Sequence, residues 1–414
     1  MITTKKECAS HSFKHYIPWF IASFFTCFQF LLQSSAGVMG PKWLQDFHLN
    51  EVGLSNLSAA FFYSYVLMQI PSGLLFDRYQ PKYILIAAAA VVSFGCWLMA
   101  YTDHYVLALI GRFLAGGGCA FGFVSMLHIT STSFPANRFA LMVGLSESVT
   151  MLGVMGGVIL LAYIVDTLSW RVALVGSGVV AFSIVMASFW FIVPEKKALT
   201  TDNLLSLKVV AKQLKTIITD SQVLLPSIYG FFIFAIVNAF TSLWGISFLI
   251  DTYSFSQQLA ANAVSMVFLG IAIGGPLSGW LSKILNQHRI ILIFSALCAT
   301  ITMSIIVFMP HLPQIFLFIF LLLMGVFCAV YVQCFAVIKD SVSLEIRATA
   351  LATSNMIIML GAPVLQVLIG VSLHSHFFNM TQNPIVVDRL SLGILPAGMF
   401  IAFLLAFWIR DLEQ

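Results

Sequence analysis

An all-α membrane fold of twelve transmembrane helices, arranged as two pseudo-symmetric bundles of six, is what this sequence predicts, and three observations predict it. Apolar residues make up 60% of the chain and charged residues 9%, about a third of the charge of an ordinary soluble domain. The apolar residues fall in runs long enough to cross a bilayer, which takes about 20 residues per helix. The second half also repeats small and polar residues of the first in the same order, Ser354 lying 208 positions after Ser146 and Gly325 lying 209 after Gly116. Such internal similarity marks a duplicated helical unit.

The runs place helices near 17–40, 53–76, 82–101, 105–131, 139–165, 171–193, 226–250, 259–281, 290–309, 314–338, 348–372 and 391–409. No small-residue cleavage site follows the first run, which is too long for a signal peptide, so that helix is expected to stay in the mature protein. The most informative joint is Gly73-Leu-Leu-Phe-Asp77-Arg78-Tyr-Gln-Pro-Lys82. A turn this short, with three charges between two helices too apolar for water, reads as a cytoplasmic elbow.

Lys and Arg accumulate in loops that stay in the cytoplasm. With the N-terminus inside, the inner segments hold Lys5, Lys6, Lys14, Arg78, Lys82, Arg138, Lys196, Lys197, Lys208, Lys212, Lys215, Lys283, Arg289, Lys339, Arg347 and Arg410, sixteen of the twenty basic residues. Outside loops hold Lys42, Arg171 and Arg389. Both termini are therefore expected in the cytoplasm. The net charge of +4 is a topology signal and argues nothing for nucleic acid.

Residues 195–222 form the longest polar interval and divide the chain into an N-terminal bundle (1–194), a linker (195–225) and a C-terminal bundle (226–414). Within the linker Leu207, Val210, Ala211, Leu214, Ile217 and Ile218 recur at helical spacing opposite Lys208, Lys212 and Lys215. Such a helix would lie on the inner leaflet with its lysines toward anionic headgroups, or else be a solvated linker. Seven cysteines without a CxxC pair read as small apolar fillers. His374 and His376 would need His48 or His311 to make a metal site, and the expectation is no metal and no cofactor.

The repeat extends to Met151-Leu-Gly153 with Met359-Leu-Gly361, to Cys119-Ala120 with Cys328-Ala329, and to Pro18 with Pro226. Two six-helix halves, a cytoplasmic linker and the charged elbow resemble the major facilitator superfamily along the whole chain. The elbow supplies the family's Gly73, Leu75, Asp77, Arg78 and Lys82, and departs from it at Gln80 and Pro81. Arg112, Gly116, Gly118 and Ala120 match the Arg-x-x-x-Gly signature of helix 4, and Trp170-Arg171 also looks like the family. The helix 5 glycine signature keeps Gly144, Gly153, Gly156 and Gly157 without its proline, which weighs against drug efflux by antiport. In helix 11, Gly361-Ala-Pro363 keeps a proline, whose expected effect is a kink.

The resemblance implies alternating access, one bundle rocking against the other around a midplane site. Small residues let helices approach closely, the role expected of Gly116–Gly118, Gly153, Gly156, Gly157, Gly274, Gly275 and Gly279. Two side chains of lasting charge sit well inside apolar helices, Arg112 and Glu147, and each costs about 2.5–3.5 kcal/mol to insert unless paired or wet. At 1.5 Å per residue their depths differ by roughly 8 Å, a gap that a long arginine, a water or a substrate carboxylate would close. Glu147 is expected to take up and release a proton, with Arg112 as its counter-charge or as the anion-binding group; a fixed structural pair is the plainer reading. His128 is a further proton-coupling candidate.

The resemblance puts the substrate site on helices 1, 4, 7 and 10. The hydrogen-bonding candidates there are Gln29 and Gln33, one turn apart, with Arg112, Asn238, Thr241, Trp244, Tyr331 and Gln333. Asn355 joins them as the repeat position of Glu147, with Gln366 further along, and Tyr63, Tyr65 and Gln69 stand in reserve. Gly73, Asp77, Arg78 and Lys82 are expected to act in gating, the Asp capping the N-terminus of helix 11 through the helix dipole.

No nucleotide-binding loop, HExxH or GxSxG frame appears, so neither direct ATP use nor an enzyme is expected, and two similar halves do not suit a receptor. The sequence thus predicts a proton-coupled transporter of a small polar solute, an amino acid or short peptide preferred. The alternative is an exporter of a metabolite, drug or siderophore. It would act as a monomer in a bacterial inner membrane, or in an endolysosomal membrane if the host is eukaryotic.

Overall fold

The computed structural model describes residues 3–134, 136–193, 217, 219–285, 287–309, 312–343, 346–374 and 384–410. Twelve of its helices are long and apolar enough to cross a membrane. In the N-terminal half α1 is Thr3–Asp46, α2 Glu51–Arg78, α3 Pro81–Tyr101, α4 Tyr105–Ser133, α5 Ala136–Thr167 and α6 Trp170–Phe191. In the C-terminal half α7 is Ser221–Tyr253, α8 Gln257–Leu285, α9 Arg289–Phe308, α10 Gln314–Ser341, α11 Arg347–His374 and α12 Ile385–Ala406. The linker helix expected at 207–218 lies almost wholly outside the described residues. Ile217, at its end, is buried with Val223, Ile338, Val342 and Ala350.

Local signals explain the boundaries. Asn50 caps α2 by accepting the Gly53 N–H at 2.8 Å, Ser169 caps α6 through Val172 N–H, and Asp220 caps α7 through Gln222 N–H, each satisfying a donor that a helix start leaves free. Pro81 opens α3, where its missing N–H costs nothing. The elbow is thereby two residues, Tyr79 and Gln80. The last span begins six residues earlier than its apolar run suggests, because Pro384 starts a short helix that bends at Gly393 into Ile394–Ala406.

Two helices depart from α geometry. α7 carries a π turn over Phe240–Trp244, and α10 tightens into a 3₁₀ turn over Ala329–Tyr331. Such insertions frequently mark functional positions.

Glycine crossings are the same in both halves. A Cβ on Gly116 would stand 2.0 Å from the Phe61 carbonyl oxygen, and one on Gly325 would stand 2.1 Å from that of Val267. The α2–α4 crossing thus recurs as α8–α10 at the repeat-related glycine, and no side chain larger than hydrogen fits either place. Gly118 and Gly274 also lie against backbone, at 2.6 and 2.4 Å, Gly153 and Gly157 meet the side chains of Cys27 and Leu31, and Gly117 has ordinary room, whereas Gly156, Gly275 and Gly279 face open space. Those three do not have the packing role their sequence suggested, because each points away from the neighbouring helices.

Contacts between bundles gather at the face opposite the elbow. There Gly370 of α11 packs on Ser55 and the Glu51 carbonyl of α2, and His374 meets Glu51 at 3.3 Å. Gln258 of α8 donates to the Ile159 carbonyl of α5 at 3.2 Å, and Gln257 to that of Val38 in α1. Gly37 of α1 lies directly on the backbone of Thr241 and Ser242 in α7. On the same face Arg171 joins Asp46 and Asp103 and stacks on Trp170, whose Nε1 donates to Asp46.

Candidate solute site between the bundles

Buried amides meet where α1, α2, α7 and α11 converge. Gln29 Nε2 donates to the Tyr65 hydroxyl at 3.1 Å, and Gln29 Oε1 accepts the Phe123 backbone N–H of α4, also at 3.1 Å. The approach to α4 is open because Gly122 lies there: a Cβ on it would stand 2.6 Å from that oxygen. Gln69, one turn from Tyr65 on α2, accepts through its Oε1 from Asn355 Nδ2 at 3.2 Å, and its Nε2 has no partner among the described residues. One turn further along α1, Gln33 Nε2 donates to Asn238 Oδ1 at 2.7 Å. Both Gln33–Asn238 and Gln69–Asn355 therefore cross from one bundle to the other.

Glu147 is partly buried on α5, without a hydrogen bond or ion pair among the described residues. It lies close enough to Tyr65 and Tyr331 to interact with both electrostatically. Tyr331 stacks on Phe234 with ring centres 4.0 Å apart. A carboxylate from α5 and phenols from α2 and α10 thus share one region.

Arg112 is placed differently. Its guanidinium donates through Nη1 to the Leu32 carbonyl at 2.9 Å and to Ser35 Oγ at 3.1 Å. It lies 4.9 Å from the Phe61 ring and 5.5 Å from the Trp43 ring. The side chain is 2% exposed, and its Nε and Nη2 have no partner among the described residues. Arg112 and Glu147 are not an ion pair here. Arg112 sits one turn from Gly116 on the stripe of α4 that faces α2, and aromatic faces with a carbonyl offset part of the cost of its charge.

The remaining candidates are scattered. Thr241 bonds back to its own helix at Val237, and Trp244 Nε1 donates to the Gln366 carbonyl at 3.1 Å. Gln333 is buried inside the C-terminal bundle, donating to Ser278 Oγ and bonded to His288 Nδ1 at 2.9 Å. It is separated from the amides of the seam. His128 packs 5.4 Å from the Phe76 ring near the elbow. Lys82 Nζ donates to the Phe189 carbonyl at 2.7 Å over that residue's ring, tying α3 to α6. A Cβ on Gly73 would meet nothing within 4 Å. Asp77 and Arg78 end α2, with side chains outside the described set. Tyr65 and Gln69 prove central although the sequence held them in reserve; their one-turn spacing on α2 matches that of Gln29 and Gln33 on α1, and that was the available signal.

Twelve spans in two similar bundles, with polar groups concentrated at the seam, define a membrane transporter. The chain belongs to the Major Facilitator Superfamily, whose model matches residues 20–365 and 246–413. Among its relatives, the Hexuronate transporter of Bacillus subtilis (strain 168) is 24% identical over 61% of this chain and 62% of its own length. The Uncharacterized transporter YybO of the same organism is 29% identical over 39% of this chain and 38% of its own. The Probable galactarate/D-glucarate transporter GudP of Escherichia coli (strain K12) is 28% identical over 29% and 28%. The chain thus matches less than two thirds of the length of these relatives. In fold it resembles an inward-facing, unoccupied bacterial homolog of the human lysosomal transporter Spinster, with TM-score 0.77 at 14% identity over 96% of this chain and 97% of that one. A D-xylose-proton symporter superposes with TM-score 0.71 at 14% identity over 93% and 96%.

Proposed function

We propose that this protein carries a small hydroxylated organic acid, of the hexuronate or sugar-diacid kind, together with protons by alternating access. The observation that carries the reading is Arg112, a buried cation that meets no carboxylate among the described residues, with two nitrogens of its planar fork, Nε and Nη2, left without a partner there. A carboxylate is the anion that such a fork binds in bidentate fashion. The neutral amides Gln29, Gln33, Asn238 and Asn355 both donate and accept, which suits hydroxyl groups. The named activities of the relatives favour a sugar acid over the amino acid or short peptide that one cation, one carboxylate and several amides suggested by themselves.

Glu147 is the proton carrier in this reading. Among the described residues it has no cationic partner to hold it ionised, and it interacts electrostatically with Tyr65 and Tyr331, which belong to different bundles. Bundles 1–194 and 226–414 rock about the seam, with residues 195–225 joining them. The elbow and both termini face the cytoplasm of a bacterial cell, and the monomer is the working unit. Asp77 and Arg78 latch the cytoplasmic side.

The test is counter-flow in proteoliposomes loaded with D-glucuronate, followed by uptake under an imposed pH gradient. Exchange of labelled D-glucuronate with accumulation that follows the gradient is expected. Exchange without any response to the gradient would end the proton reading, and absence of exchange would end the cargo assignment.

A further inference from the structure

Helices α7 and α11 lie side by side and parallel. Gly230 faces Ile358, Gly361 faces Phe231 and Ala235, and Trp244 reaches the Gln366 carbonyl. Asn238 and Ser242 fall between these contact points. Gln366 lies one turn before Gly370, which abuts Ser55 of α2, so its stripe of α11 turns toward the bundle seam. Asn238 faces the same seam, being bonded to Gln33 of α1.

Three side chains here are buried without satisfaction. Gln366 is 0% exposed, and both its Nε2 and Oε1 have no partner among the described residues. Asn238 Nδ2 and Ser242 Oγ are in the same condition, at 5% and 0% exposure. Unmet polar groups of this kind are costly and rare in folded proteins. Ser242 also lies within the π turn of α7, a geometry often found at functional sites.

A cavity of about 890 Å³ lies on the face opposite the elbow, and Trp244, which is bonded to the Gln366 carbonyl, is part of its wall. Gln45, Glu51, Asp251 and Asp388 also line that cavity.

We propose that Asn238, Ser242 and Gln366 form a hydroxyl-reading subsite, buried beside Trp244 in this conformation, that grips the polyhydroxylated chain of the solute when the face opposite the elbow opens. The inference rests on the sugar-acid reading and adds to it where the hydroxyls are recognised. Two amide ends and a hydroxyl offer donors and acceptors to vicinal hydroxyls, and a site built for hydroxyls rejects an analogue that lacks them. The cost of leaving these groups unmet in the closed state also keeps that state from becoming a trap.

D-Glucarate and adipate test it, because both are six-carbon dicarboxylates and only the first carries hydroxyls. Binding to purified protein in nanodiscs is measured for the wild type and Gln366→Leu, together with the melting temperature of each without ligand. The wild type should prefer D-glucarate, and the variant should lose at least about tenfold for it while adipate changes by less than about twofold, tenfold being roughly one lost hydrogen bond. Without ligand the variant should melt at least as high as the wild type, since leucine removes two unmet polar atoms; a lower melting temperature would mean a structural amide and overturn the proposal. Retention of the wild-type preference in Gln366→Leu would overturn the subsite alone. Failure of both acids to bind the wild type would overturn it together with the sugar-acid reading.

Discussion

The α2–α11 seam and the α5–α8 seam join the same two bundles and occupy related places in the repeat, yet they are held differently. The α2–α11 seam is tied at three levels, by His374 to Glu51, by Gly370 on Ser55 and by Asn355 to Gln69. Across α5–α8 the described residues make one hydrogen bond, Gln258 to the Ile159 carbonyl. The repeat-equivalent residues Glu147 and Asn355 sharpen the contrast. The neutral amide on α11 is engaged across the seam, whereas the carboxylate on α5 has no bonded partner. The helix arrangement recurs in the two halves, and the chemistry at this repeat position is divided. The hydrogen-bonded amide of this repeat pair lies on α11, and its titratable counterpart lies on α5.

That division is broken most severely by Glu147→Gln. If α5 supplies the proton site, the variant loses gradient-driven accumulation of D-glucuronate by about 100-fold or more, 100-fold being the lower end of the range for removing one proton-transfer group. Counter-flow exchange should persist, since the amide keeps the size of the side chain. Accumulation unchanged at an imposed pH gradient would show that Glu147 is no carrier and that the seams do not differ in function.

Arg112→Lys comes next. The guanidinium spans two helices by one fork, donating to Leu32 and Ser35 of α1 over the Phe61 ring of α2, and an ammonium cannot reproduce that plane. Affinity for D-glucuronate should fall about 10- to 100-fold with the fold intact, measured by ligand-dependent thermal shift. Wild-type affinity would make Arg112 a packing element of the N-terminal bundle.

Much of this fold was legible because lipid leaves few options: apolar runs of about 20 residues must be helices, and the elbow's charges mark a loop. The Gly116 and Gly325 pairing was legible too, since close crossings admit only glycine. Side-chain direction was not. Gln333 is as polar as Gln29, but it faces Ser278 and His288 within its own bundle. Arg112 and Glu147 differ in depth by roughly 8 Å at 1.5 Å per residue, a gap within side-chain reach, but depth says nothing about azimuth around the helix. The π turn at Phe240–Trp244 left no composition signal, and it resets which residues of α7 face the seam.

Asn355→Ala probes the fastened seam with a smaller effect. Removing the amide leaves Gln69 buried at 6% exposure with neither end of its amide bonded to α11, at a cost of about 1–3 kcal/mol to the state in which the seam is closed there. One kcal/mol is about a fivefold change in a two-state population. A cysteine at Gly73, where a Cβ meets nothing, should then react with a maleimide about fivefold faster than in the Gly73→Cys protein alone. An unaltered rate would mean that this bond does not hold the bundles together.

Lys82→Met should change least. In the family's elbow motif this lysine belongs to the gate, but here its ammonium caps the last turn of α6 at the Phe189 carbonyl and lies 5.2 Å from that residue's ring centre. Both partners sit within the N-terminal bundle, so the contact remains intact however the two bundles rock. A cation at a helix C-terminus is worth about 0.3–1 kcal/mol, and methionine retains most of the apolar stem. Initial rates of D-glucuronate exchange should therefore stay within about twofold of wild type, with a melting point lower by about 1–2 °C. A loss of exchange at unchanged melting temperature would return Lys82 to the gate and require a partner for it across the seam.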